Sequence, residues 1–150
     1  MRLWHKDLIP VLPKQQLLGQ WRECCCIARN IANKHTPNHL LVNKVMDYQA
    51  IEFVRYAGMV HDEMVKRGYD CDWDKFIYYI TKFPDGYAKR IGKELFEGWH
   101  NDRYLMQCFY NLQEKYDCGG IPQNEWKVID KWMKRNKHNN GYLAVKGCRK

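Results

Sequence analysis

The chain has 150 residues, 45% of them hydrophobic and 14% aromatic, and a formal net charge of +8 at pH 7. This is enough for one domain with its own core, and it excludes a disordered chain. No apolar run approaches the roughly 18 residues of a membrane span. The opening Met-Arg-Leu-Trp-His-Lys-Asp has no basic head followed by an apolar block, so no secretion signal is expected and the expected location is the cytoplasm.

In chain order, residues 1–12 read as an extended arm ended by Pro10 and Pro13. The first helix is expected from Pro13 to about Lys34. Leu17, Leu18, Trp21, Cys24, Cys25, Ala28, Ile31 and Ala32 recur at three- and four-residue steps and form its apolar stripe. Asn38 can cap a short helix through Met46. A longer helix is expected from Asp47 to about Arg67, with Ile51, Val54, Ala57, Gly58, Val60, Met64 and Val65 on its apolar side. Lys66-Arg67-Gly68 is a stop signal, with cations in the last turn and a glycine for the left-handed cap.

Asp72 can cap a helix to Lys82, which Pro84-Asp85-Gly86 breaks. A helical segment is expected at about 87–97. Another runs from about Asp102 to Tyr116, with Tyr104, Leu105, Cys108, Phe109, Leu112 and Tyr116 inward and Gly119-Gly120 ending it. The last helix is Gln123 to Arg135, and the end after Asn139-Asn140-Gly141 reads as irregular. No repeat, linker or strand alternation is visible. The expectation is a single all-α domain over residues 1–150, about three main helices plus shorter ones, with a basic irregular tail from about residue 137.

Seven cysteines, three of them consecutive at positions 24–26, suit no simple disulfide framework and point to reduced thiols used as small core residues. There is no C-x-x-C pair, and Pro37 interrupts the i, i+4 pair His35 and His39, so no metal is expected. The positive charge is concentrated. Residues 127–150 carry Lys127, Lys131, Lys134, Arg135, Lys137, Lys146, Arg149 and Lys150 against one acid, Asp130. Interleaved with Trp126, Trp132 and Tyr142, these cations suit phosphates while the rings suit bases; a solvated, solubilising tail has the same composition.

Glu23 lies nearly opposite the apolar stripe of the first helix, with Gly19 and Cys26 one turn away leaving it open space, and with Arg22 and Arg29 on the same flank. Such a carboxylate suits an active site and equally a solvated helix face. Arg2 is too large for removal of the initiator methionine, so the free α-amine is expected at Met1. Near neutral pH an α-amine is unprotonated roughly two to three orders of magnitude more often than a lysine. It is therefore the natural amine nucleophile of a chain. His61-Asp62-Glu63 reads as decoration of an exposed helix face, and Trp73, Trp99 and the Tyr78-Tyr79 pair as core or rim.

Three features together carry a resemblance. They are Arg2 after the terminal residue, the block Gln15 to Glu23 ending in aromatic-Arg-Glu, and the helix end Glu63, Lys66, Arg67, Gly68, Tyr69. Over roughly the first 70 residues the chain resembles the phage-type pyrimidine-dimer DNA glycosylase (endonuclease V) family. Beyond that the likeness is limited to Asn111-Leu112-Gln113-Glu114-Lys115. The family is a compact three-helix repair enzyme whose amino terminus threads between helices to a catalytic glutamate.

The resemblance implies that the Met1 amine attacks C1′ of the damaged nucleotide, forming an imine and expelling the base. Glu23 then stabilises the sugar cation and handles protons through β-elimination. Arg2 and Arg22 would hold phosphates, with Lys115 a further contact. Cys26 stands where the family has a DNA-holding arginine, and Arg29, one turn later, is its candidate substitute. Lys131, Lys134 and Arg135 are the DNA-binding candidates of the basic segment. The expected partner is double-stranded DNA, bound by a monomer without cofactor, metal or membrane. The alternatives are excision of a different modified base and a non-catalytic DNA-binding module on the same fold.

Overall fold

The computed structural model describes residues 1–84 and 93–136, and within them the chain is all-α. Five helices follow in order: α1 (Lys14–Lys34), α2 (Ala50–Lys66), α3 (Trp73–Ile80), α4 (Asp102–Asp117) and α5 (Gln123–Arg135). Two 3-10 helices, Lys6–Val11 and Asn43–Asp47, precede α1 and α2. The helix α1 packs against α2 and α3, while the Lys6–Val11 helix lies against α2 and α5.

The arm is shorter than the sequence suggests. Of residues 1–12, only 1–5 and Leu12 are outside helical structure, and Leu3, Trp4, Leu8, Ile9 and Leu12 are buried members of the core. The alternation of these apolar residues with Arg2, Lys6, Asp7 and Pro10 winds the segment into a 3-10 turn that puts its apolar side inward.

The helix α1 has the expected bounds and ends on His35, whose φ of 57° takes the left-handed conformation usually left to glycine. Its buried face is rotated from the expected stripe. Gln20 and Ile27 are buried at its centre, whereas Leu18, Cys25 and Ala32 are only half-buried. The arm covers the Gln20 side, so Glu23 stands at the edge of the buried face rather than opposite it.

No helix runs from Asn38 to Met46. Asn38 is itself left-handed at φ 57°, and its amide donates to Thr36 Oγ1 at 3.2 Å. The His39 amide donates to Asn43 Oδ1 at 3.2 Å. Short polar side chains take the local amides and leave only the Asn43–Asp47 3-10 turn.

The helix α2 begins at Ala50, because Tyr48 is extended and its hydroxyl donates to the Glu97 carbonyl at 2.8 Å. Its inward face carries Phe53, Tyr56, Ala57, Val60 and Met64, while Ile51 and Val65 are 55% and 56% exposed. The aromatic residues set the face at the expense of the aliphatic ones. The stop signal holds: Gly68 has φ 79° and its amide donates to the Val65 carbonyl.

Asp72 caps α3 by accepting from the Lys75 amide at 2.8 Å, and Asn101 caps α4 by accepting from the Tyr104 amide at 3.0 Å. The end of α4 closes tightly, with the Gly120 amide donating to the Lys115 carbonyl at 2.8 Å. A Cβ on Gly120 would lie 3.2 Å from that oxygen. Residues 93–97 form turns instead of the expected helix, because buried Glu52 accepts the Phe96 amide at 2.7 Å and Phe96 is left-handed at φ 53°. The rest of that segment, the Asp85-Gly86 breaker and the tail after Asn136 lie outside the described residues.

Candidate active site

The site is built around an arm whose peptide groups are held one by one. The Arg2 amide donates to Glu23 Oε2 at 2.8 Å. Tyr104 of α4 donates its hydroxyl to the Leu3 carbonyl. The Trp4 amide donates to Gln20 Oε1 at 2.8 Å, and the Trp4 carbonyl accepts from the Tyr56 hydroxyl at 2.7 Å. The Lys6 amide donates to His100 Nδ1 at 3.0 Å. Backbone polar groups that leave water need partners, and here side chains from α1, α2, α4 and the turn before α4 provide them. Three of the sequence candidates therefore come together: Met1, Arg2 and Glu23.

Glu23 is half-buried. Gly19, one turn earlier on α1, has open space where a side chain would stand. Met1 is 38% exposed at the end of the arm. The Arg2 guanidinium lies 5.7 Å from the centre of the Trp4 ring, a cation–π contact.

The groups around this point are held neutral. Burial, reinforced by Cys108, pushes the Tyr104 phenol above its usual range. Burial raises the Cys108 thiol although the His5 backbone and Arg2 oppose it. Burial also raises Cys24, and it lifts Cys25 to about 11, with the next thiol along α1 adding to each. The six described cysteines are free thiols, and these raised ones carry the proton rather than the reactive thiolate at neutral pH. His100 is pushed down to about 2, chiefly by burial and then by His5 and Lys6. No group of three or more His, Cys, Asp or Glu among the described residues is arranged to hold a metal.

The remaining cations do not form one cluster. Arg2 lines a groove of about 670 Å³ with Lys44, Trp99, Arg103 and Tyr104. Arg22 and Arg29 line a second groove of about 400 Å³ with Cys25, Cys26, Lys75 and Tyr79, between α1 and α3. Lys115 is exposed on the last turn of α4. Lys131 and Arg135 are exposed on α5, where Lys134 pairs with Asp130.

Sequence reasoning missed the residues that hold the arm. Gln20 was legible in principle: a glutamine within the turn of Leu17, Trp21 and Cys24 is a polar group that needs a buried partner. Tyr56, Tyr104 and His100 had no local signal, since each reaches a peptide 52, 101 or 94 positions away. Glu63 is not surface decoration. It is buried and accepts from Arg67 Nε at 2.7 Å, and Arg67 also donates to the Leu12 and Pro10 carbonyls at 2.7 and 2.9 Å. Its neighbour His61 packs against Trp21 and Trp73, so this part of α2 faces protein as well as solvent. Trp99 is buried, Trp73 and Tyr79 are half-buried and Tyr78 is exposed, as core and rim residues should be.

No helix among the described residues is long and apolar enough to cross a membrane. No curated protein and no solved structure matches the chain. The family model for pyrimidine dimer DNA glycosylase matches residues 1–76. That span contains the arm, Glu23, and the Glu63–Arg67 clasp that fastens the arm to α2. Covering half of the 150 residues and all of this framework, the match shows that the chain belongs to the pyrimidine dimer DNA glycosylase family.

Proposed function

We propose that this protein excises pyrimidine dimers from double-stranded DNA and then cuts the strand at the resulting abasic site. The observation that carries the reading is the 2.8 Å hydrogen bond from the Arg2 amide to Glu23, which sets the residue bearing the α-amine beside the carboxylate. The Met1 nitrogen attacks C1′ of the damaged nucleotide, and the glycosidic electron pair leaves with the base. The ring oxygen then departs from C1′, giving an imine. Glu23 stabilises the cationic sugar, accepts the amine proton and later removes the C2′ proton, so that the 3′ phosphate leaves by β-elimination.

Arg2 holds a phosphate beside the reacting sugar, and Arg22 and Arg29 hold backbone from the second groove. Lys115, Lys131, Lys134 and Arg135 add charge for non-specific contact with the duplex. The raised Cys24 and Cys108 thiols and the raised Tyr104 phenol support this assignment, because they keep their protons at neutral pH and so do not compete with the amine.

The test is borohydride reduction during incubation with abasic duplex DNA. The expected result is a covalent adduct on the peptide that carries Met1. Glu23→Gln should slow strand cleavage by about 10²–10⁴-fold while the protein still binds DNA. Full cleavage by a protein whose terminal amine is acetylated would overturn the mechanism. Binding without any trapped adduct would leave a DNA-binding module on the family fold.

A further inference from the structure

The turn between α1 and α2 presents two adjacent apolar side chains to solvent: Leu40 is 84% exposed and Leu41 52%. One exposed leucine is ordinary, but a pair at the tip of an ordered turn is not. The turn holds itself in shape. The Val42 and Asn43 amides both donate to the His39 carbonyl at 3.0 Å, and the Leu41 amide donates to His39 Nδ1 at 3.3 Å. Asn30 of α1 donates to the Pro37 carbonyl at 3.1 Å and ties the turn to its helix. Below the tip, Val42 and Val45 are fully buried and already fill the core. The leucines are thus presented outward on a braced turn.

What they face is specific. Both leucines line the 670 Å³ groove of Arg2, Lys44 and Arg103, and that groove has no acidic residue in its lining. Three cations without an acid suit a polyanion, whereas a basic or neutral protein surface would find no complement there. Arg2 lines this groove and its amide donates to Glu23, so the residue that borders the apolar tip is also bonded to the carboxylate.

We propose that Leu40 and Leu41 are a wedge that enters the base stack of a DNA duplex lying in this groove, with Lys44 and Arg103 gripping the phosphates on either side. Apolar side chains pushed between base steps unstack and kink a duplex, and a nucleotide leaves a stack most readily where a step is already open. The wedge holds the gap while the damaged nucleotide swings toward Glu23. Lys44 and Arg103 are positioning residues, since they grip backbone away from the reacting atoms. The inference rests on the proposed reading of the site as one that acts on extruded nucleotides.

The experiment places 2-aminopurine next to a tetrahydrofuran abasic analogue in a duplex and follows its emission. Wild-type protein should raise the emission several-fold as the neighbouring step unstacks, and the double variant Leu40→Ala/Leu41→Ala should lose most of that rise. Leu40→Phe should keep it. In single-turnover cleavage of true abasic DNA, the double variant should lose about tenfold or more on duplex but less than about twofold on a single strand, where no stack has to be opened.

A full emission rise in the double variant would overturn the wedge, and so would equal losses on duplex and single strand. Tetrahydrofuran forms no imine, so emission tests the wedge even if borohydride trapping fails. The failure of one reading is therefore distinguishable from the failure of the other.

Discussion

A single guanidinium joins the end of α2 to the arm. Arg67 spends its fork on Glu63, Leu12 and Pro10, and only one of those three partners is charged. Removing it leaves the buried Glu63 carboxylate with only the long 3.5 Å contact to Lys66 and unpairs two arm carbonyls. Arg67→Ala should therefore lower stability by about 3 kcal/mol. Arg67→Lys should recover little of this, because a compact ammonium on a flexible stem cannot make three directed bonds at once. Urea denaturation of the two variants checks the difference; a lysine variant as stable as wild type would show that charge rather than geometry holds the arm.

At the scale of elements, the arm behaves as a strand laid in a helical groove, with side chains replacing the neighbouring strand. Its Trp4 peptide is bonded on both sides, to Gln20 of α1 and Tyr56 of α2. Tyr56→Phe should cost about 1–3 kcal/mol by leaving the buried Trp4 carbonyl unpaired, and Gln20→Leu a similar amount through the amide. Because both act on one residue, the double variant should lose less than the sum. Thermal or chemical denaturation of the cycle checks this, and strict additivity would mean the two bonds hold the arm independently. The helices that this arm joins were legible from local signals: the Asp72 cap, the Gly68 stop and the bounds of α1 and α5 are written in neighbouring residues.

Helix rotation was less legible. The aliphatic spacing of α2 favours Ile51 and Val65, yet Phe53 and Tyr56 win the interior because larger rings bury more area. The proximity of Arg2 and Glu23 was anticipated only through resemblance. Their meeting depends on long-range bonds to Tyr104 and His100, for which no spacing rule exists.

For the molecule as a whole, His100 sets an acid limit. Folded, it accepts the Lys6 amide on Nδ1 and stays neutral, its imidazole pushed down to about 2 mainly by burial. Unfolded, it titrates near 6.5. Between those values the unfolded chain binds the extra proton. The contribution is therefore intact above about pH 6.5, and stability falls as pH drops below it, by at most about 1.4 kcal/mol per pH unit from this group.

His100→Asn keeps an acceptor for the Lys6 amide but cannot titrate. It should flatten the stability profile between about pH 4 and 6, measured by denaturant midpoints across that range; an unchanged slope would place the acid sensitivity elsewhere.

The clamped arm has a further consequence, which concerns timing. The arm is anchored by Tyr104 and His100, about a hundred positions later in the chain. Until α4 has been made, the arm has Glu23 and Gln20 within reach but lacks two of the groups that seat it. The arm is thus synthesised well before it can be fully docked, and a chain that stops short of α4 leaves it loosely seated.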